Sequence, residues 1–241
     1  MAWHYNQVGL RGLRGDVNMW IKVLLCATFF TGLIVAVGCN RANGVKPIPK
    51  NSPVQSNSPD ADREPAMKDA DAYAARAYEW LGKSNLDRAL EDYDRAVRLE
   101  PGHPAFFNGR GFTWHMKGIE DEDRPTCEDR ALSDYAEAIR IDPKYASAMN
   151  NRAWIRATSK IGRCRNGIQA VEEATKACEL TGWKNAGYLD TLSVAYAEVG
   201  DFEQATRWQR KALEDATYLQ EEGGNAREKL ALFGKRQPFR E

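Results

Sequence analysis

Three histidines and five cysteines are the residues of this 241-residue sequence best suited to chemistry, and their spacing decides which chemistry is open. His4, His103 and His115 lie far apart, and none shares a metal-spaced cluster with a cysteine. The sequence has no glycine-rich phosphate loop, no nucleophile elbow and no helical H-E-x-x-H pair. Its densest carboxylates are Glu120, Asp121, Glu122 and Asp123, with Glu128 and Asp129 close behind. They lack the glycine and ligand spacing of a calcium loop and read as a solvated loop. No catalytic residues, metal site or cofactor site are therefore expected, and the function is expected to be binding. The cysteines fall into two groups, Cys26 and Cys39 near the start and Cys127, Cys164 and Cys178 in the body of the chain.

Charge narrows the partner. Lys+Arg and Asp+Glu number 34 each, so no net field draws the chain to nucleic acid or anionic lipid. Hydrophobic residues make up 43% of the sequence, enough for a core, but they are spread unevenly. Residues 23–38 carry no charge and follow Lys22, a positive region and apolar run of secretory type. The run is shorter than the ~20 residues that a membrane-spanning helix prefers. Counted from Met1, the charged region would be long and would include Asp16; counted from Met19 it is compact, which points to Met19 as the start. Ala36, Val37 and Gly38 then lead into Cys39. This resembles the lipobox of bacterial lipoproteins, with Ala36 where leucine is usual, and the resemblance implies lipidation of Cys39. An uncleaved anchor helix over 20–38 is the alternative. Residues 40–66, rich in proline, serine and asparagine, cannot bury enough apolar surface to offset their ordering entropy and read as an extended tether.

From Ala70 onward the chain repeats. Ala89-x3-Tyr93-x2-Ala96-x4-Pro101 returns as Ala131-x3-Tyr135-x2-Ala138-x4-Pro143. Ala170, Ala174 and Ala177 give a third copy, and Ala205 and Ala212 a fourth. Upstream, Trp80, Trp114 and Tyr196 each follow a small residue (Ala77, Gly111, Ser193) by three. Small residues let two antiparallel helices cross closely, larger ones fill the grooves beside them, and proline ends the second helix. The pattern is similar to the 34-residue tetratricopeptide repeat (TPR). It implies an all-α TPR solenoid of about four helix-turn-helix repeats, near 70–103, 104–145, 146–185 and 186–219, within a domain over 67–222. Gly118 and Gly200 are expected to close first helices. The third repeat departs most, with Arg156 in place of an aromatic and Gly182 in place of proline. Residues 176–192 resemble a repeat junction of bacterial envelope TPR proteins, with Trp183 and Tyr188 read as inter-repeat packing. The last second helix is expected to reach Gln220 and to break at Gly223 and Gly224. A capping helix from Asn225 to Phe233 then covers the exposed end of the solenoid, within a 223–241 segment.

The spacing between copies locates two insertions. Ala89 to Ala131 is 42 residues and Ala131 to Ala170 is 39, so 8 and 5 residues exceed the 34-residue period. Both fall between the helices of a repeat, which should put them side by side on one edge of the stack. Cys127 and Cys164 sit in them and could form a disulfide or stay as two thiols. Cys178, far along its helix, reads as a small buried residue.

In TPR proteins the first helices line a concave groove that holds a ligand. Here the resemblance puts Tyr78, Asn108, Phe112, His115, Asn150, Asn151, Trp154, Asp190 and Val194 on that face. Asparagine amides can satisfy a peptide backbone, and Phe112 and Trp154 offer apolar anchors. Asn108 and Asn150 could equally cap or bridge neighbouring helices. The Lys and Arg clamp that some members use for a carboxylate is replaced by Ala74, Ser147 and Asn151. The expected function is a non-catalytic adaptor in the bacterial cell envelope, lipid-anchored and binding a partner protein or peptide, with no small-molecule substrate. The alternative is a regulatory subunit that docks on an envelope enzyme through the inserted loops, around Arg124 and Cys127.

Overall fold

The computed structural model describes residues 69–120 and 123–241, and all that follows concerns those residues. The expected export signal, the expected lipid site Cys39 and the expected tether lie outside them. Among the described residues nine α-helices form and no strand: α1 (Ala70–Gly82), α2 (Leu86–Leu99), α3 (Pro104–Glu120), α4 (Arg124–Ile141), α5 (Ala146–Thr158), α6 (Gly167–Leu180), α7 (Ala186–Glu198), α8 (Phe202–Ala212) and α9 (Ala216–Gly234). They pair in sequence as α1/α2, α3/α4, α5/α6 and α7/α8, and α9 packs on α7 and α8. The fold is an all-α TPR-like solenoid.

Close approach within the pairs follows from the small residues. Ala77, Ala89, Ala131, Ala153, Ala170 and Ala205 are each 0% exposed. Gly109 is the tightest point between successive pairs, because a Cβ there would lie 2.5 Å from the fully buried ring of Tyr93. Gly111 abuts Tyr135 and Asp134 in the same way. Second helices end at Leu99 and Ile141, just before Pro101 and Pro143. Where the third repeat lacks a proline, Gly182 and Trp183 take positive φ (61° and 62°), and the Trp183 N–H returns 2.8 Å to the Cys178 carbonyl. Those left-handed residues end α6 as proline would have done. Gly200 has φ 84° and closes α7 as expected. Gly118 lies inside α3 and instead makes room for Cys127, whose Cβ would be 2.8 Å from an added methyl.

The first insertion is helix, not loop. It lengthens α3 to 17 residues and α4 to 18, against 13 for α1 and α5. Glu128 is 1% exposed, accepting from Arg124 Nε at 2.7 Å and from the Ser159 hydroxyl, so the acidic cluster is only partly a solvated face. The second insertion is the short turn Gly162–Cys164. The two do meet on one edge, where Arg163 donates to Asp129 at 2.6 Å. Cys127 and Cys164 are nonetheless both thiols, as is Cys178, and all three are buried. Cys127 packs toward Gly118 on α3, whereas Cys164 faces Asp129, two residues further along α4.

The largest departure from the sequence reading lies after Ala212. There α8 stops, and Asp215 accepts from the Tyr218 N–H at 2.8 Å to start a new helix. That helix, α9, runs unbroken through Gly223 and Gly224 to Gly234. Each interior glycine costs about 1 kcal/mol relative to alanine. The penalty is offset by burial of one stripe, Tyr218, Glu222, Ala226, Lys229 and Phe233, against the last repeat. Lys229 belongs to that stripe and is 2% exposed. Its ammonium donates to both oxygens of Asp190 on α7, each at 2.7 Å.

Removing one member of such a pair strands a buried charge, at a cost of about 3–5 kcal/mol. Lys229→Met alone should lower unfolding free energy by about that amount in urea titrations, and Lys229→Met with Asp190→Asn should recover most of it. Equal losses in the single and double variants would remove the pair from its role as the cap's anchor. Burial also pushes the Cys164 thiol up to about 11 and the Cys178 thiol up to about 12. The reactive thiolate is therefore scarce at pH 8. Peptides carrying Cys127, Cys164 and Cys178 should be alkylated only after unfolding; a crosslinked Cys127–Cys164 peptide on non-reducing mapping would contradict the thiol assignment.

Candidate functional site: the inner face of the first helices

The inner face is built from α3, α5 and α7, the first helices of three successive pairs. Asn108 on α3 accepts from Asn151 Nδ2 on α5 at 3.1 Å, so this pair bridges neighbouring repeats. Asn150, 1% exposed, has its Oδ1 buried without a hydrogen-bond partner among the described residues. Phe112 is partly buried against the core of the first repeat. Tyr78 is 43% exposed in the first repeat, and Val194 is 1% exposed and part of the core. Tyr188, 6% exposed, exchanges a 3.0 Å hydrogen bond with Ser147 on α5.

A connected polar network begins deeper, at the fourth repeat. Ser193 is hydrogen-bonded to Gln209 on α8, and Gln209 Nε2 donates to the Tyr218 hydroxyl on α9 at 3.1 Å. Burial, with the nearby Asp190 carboxylate, holds the Tyr218 hydroxyl neutral far above its ordinary range. Asp190, 0% exposed, is taken up by Lys229. The same ammonium stands 4.9 Å from the centre of the Trp154 ring and 5.3 Å from that of Phe239. A cation over an indole face is attracted by its quadrupole. Asp190 is thus at the root of the inner face rather than on its surface.

Trp154 carries the network outward. Its Nε1 donates to Glu241 Oε2 at 2.6 Å, and His115 Nε2 lies 3.1 Å from the same oxygen. Of the residues that the sequence reading placed on this face, the structure therefore gathers His115, Trp154 and Asp190 around residues 239–241. It links Asn108 to Asn151, and leaves Tyr78 apart in the first repeat. The contribution of Lys229, Phe239, Arg240 and Glu241 was missed. Only the lysine's place between Ala226 and Phe233 on a helical stripe could have hinted at it.

A second set of residues was missed too. Arg76 grips Asp92 bidentately (2.7 and 2.8 Å), Arg110 grips Asp134 (2.9 and 2.7 Å), and Arg152 grips Glu173 (3.2 and 2.7 Å). Each arginine precedes the small residue of its first helix, and each acid precedes the central residue of its second. Arg156, at the position expected to be aromatic, also pairs with Glu173. For Asp134, burial raises the carboxyl above its ordinary value despite the pull of Arg110. For Arg110 burial is outweighed by its hydrogen bonds and charges with Asp134 and Asp94, which raise the guanidinium above its ordinary value.

A further aromatic pair lies away from the inner face. Trp183, 39% exposed, stacks on Trp208 with centroids 5.0 Å apart, beside Arg207. Among the described residues no group of three or more His, Cys, Asp or Glu side chains is placed to hold a metal ion, and no helix is long and apolar enough to cross a membrane.

No protein-family model matches the sequence, and no curated protein matches it. Solved structures do. TTC0263, a thermophilic TPR protein of Thermus thermophilus, is similar over 70% of this chain and 82% of that one, at 22% identity and a TM-score of 0.55. The MamA protein is similar over 69% of this chain and 88% of that one, at 15% identity and a TM-score of 0.48. The likeness to TTC0263 is one of fold: this chain has the architecture of a tetratricopeptide-repeat solenoid.

Proposed function

We propose that the chain is a non-catalytic protein-interaction scaffold that takes an extended segment of a partner protein on the inner face of α3 and α5. The observation that carries this is the buried Asn108–Asn151 amide pair that links α3 to α5, with the oxygen of the adjacent Asn150 lacking a partner among the described residues. A buried acceptor without a donor costs about 1–3 kcal/mol, and a peptide N–H is the donor such a groove would meet. Phe112 on α3 and Trp154 on α5 would supply apolar contact.

Docking on an enzyme through the insertions is the weaker reading. Cys127, Glu128 and Cys164 are all 5% exposed or less, consumed by packing against one another's elements. To separate the two, a photo-crosslinking residue can replace Tyr78 or Phe112 on the inner side, or Arg163 in the second insertion, with partners captured from native membranes. Inner-face crosslinks that disappear with Asn150→Ala and Asn151→Ala, in a variant of matched melting temperature, are the expected result. Crosslinks confined to Arg163 would move the site to the insertions.

We also propose that the domain is exported and held in the bacterial envelope by a lipid on Cys39, spaced from the membrane by residues 40–66. The charge-free run 23–38 and the small residues before Cys39 support this. Cys39→Ser should abolish incorporation of a clickable palmitate analogue and release the protein from the membrane fraction. Retention of both would end the lipoprotein assignment, as would recovery of a mature peptide containing Thr31.

A further inference from the structure

The inner face is occupied. After α9, Arg236 takes a left-handed φ of 56°, and the Gln237 N–H returns 2.9 Å to the Leu232 carbonyl. This turn sends residues 238–241 back across α5. The last carbonyls of a helix have no partner within it. At the end of α5, Ala157 O accepts from Arg240 Nη1 at 3.2 Å and Thr158 O accepts from the Glu241 N–H at 3.0 Å. Arg240 also bridges to Glu198 at 2.5 Å. Phe239 tilts against Trp154 with centroids 6.1 Å apart, and the Glu241 carboxylate receives Trp154 Nε1 and faces His115. Backbone, cation, ring and carboxylate are thus each met by a matching group.

We propose that residues 237–241 are an internal ligand of the inner face: an autoinhibitory segment that a partner must displace with an extended peptide carrying an aromatic side chain two residues before a carboxylate. This rests on the reading of that face as the partner's site. The segment is separable from the cap. The core closes at Phe233, 2% exposed, whereas residues 238–241 remain half-buried. Their contacts are hydrogen bonds, the Arg240–Glu198 ion pair and the single ring of Phe239, which is partly buried against the core, and hydrogen bonds give only about 0.5–1.5 kcal/mol each net of water. Such a segment can leave without unfolding the repeats. While tethered it competes at an effective concentration on the order of 1 mM. Against a segment that binds with a dissociation constant near 0.1 mM, that competition weakens an outside peptide about tenfold.

The test uses the full chain and a fluorescent, amidated peptide of residues 235–241, so that Glu241 supplies its only carboxylate. Anisotropy titrations should show about tenfold tighter binding to a Phe239→Ala/Glu241→Gln chain than to the unaltered one, and Trp154→Phe added to that variant should remove the gain. Equal affinity for the two chains, or no binding to either, overturns the proposal. Hydrogen exchange at the Trp154 indole, read by NMR, checks the seat without a probe. It should quicken at least fivefold in Glu241→Gln at unchanged melting temperature, and an unchanged rate overturns the proposal. Inner-face partner crosslinks report on the groove separately. If they persist while the anisotropy gain is absent, the gate is lost and the groove stands; if they too are absent, the groove reading falls with it.

Discussion

A single buried ammonium constrains the far half of this molecule. Lys229 is 2% exposed and Asp190 is 0% exposed, and neither could remain charged at such depth without the other. Their contact, 2.7 Å to each oxygen, fixes α9 against α7 in one register. Sliding α9 by one residue would turn Lys229 out of line and leave a bare carboxylate inside. The ammonium's other side is covered by two aromatic faces, Trp154 from the third repeat and Phe239 from beyond the cap. One charge therefore sets the cap, the ring beside it and the path of the chain that follows.

The remaining repeats use the same device at lower cost. Their arginine–carboxylate grips lie nearer the surface, with Arg76, Arg110 and Arg152 about a fifth exposed, so water shares the solvation penalty. Apolar burial around alanine contacts supplies the stability, and the grips choose one register for each helix pair. At the corresponding places in the fourth pair stand Leu192 and Trp208, so the grip is replaced there, and one position along Ser193 meets Gln209 in a neutral hydrogen bond. That substitution coincides with the arrival of α9, whose Tyr218 completes the network.

The repeat period was legible because it is enforced by sterics: only a small residue fits where Tyr93 or Tyr135 crosses, and the eye can count alanines. Helix ends at Pro101 and Pro143 were legible for the same local reason. Two things were not. Continuity of α9 through Gly223 and Gly224 depends on a stripe of contacts to α7 and α8, and local propensity argues against it. The burial of Lys229 was not legible either, because lysine is almost always exposed and its partner Asp190 lies 39 residues away. The inner-face residues His115 and Trp154 were placed by repeat register, yet the groups that meet them come after α9, where no periodicity extends.

The chemistry of the inner face also explains why an extended segment seats there. The final turn of α5 presents carbonyls that no helical N–H can reach, and the end of a helix carries a partial negative charge. A guanidinium and a backbone N–H answer both demands, and Arg240 and Glu241 bring them. A carboxylate alone would be repelled at that helix end; it is tolerated because it turns away, toward the indole N–H of Trp154 and the imidazole of His115. A partner that takes this place must meet the same three demands in the same order: a ring for Trp154, donors for Ala157 and Thr158, and an acceptor for the indole. A helical ligand would have only the free N–H groups of its first turn to offer these carbonyls. If this face is a partner's seat, as proposed, its geometry favours an extended chain, and its donors and acceptors set the order of side chains along it.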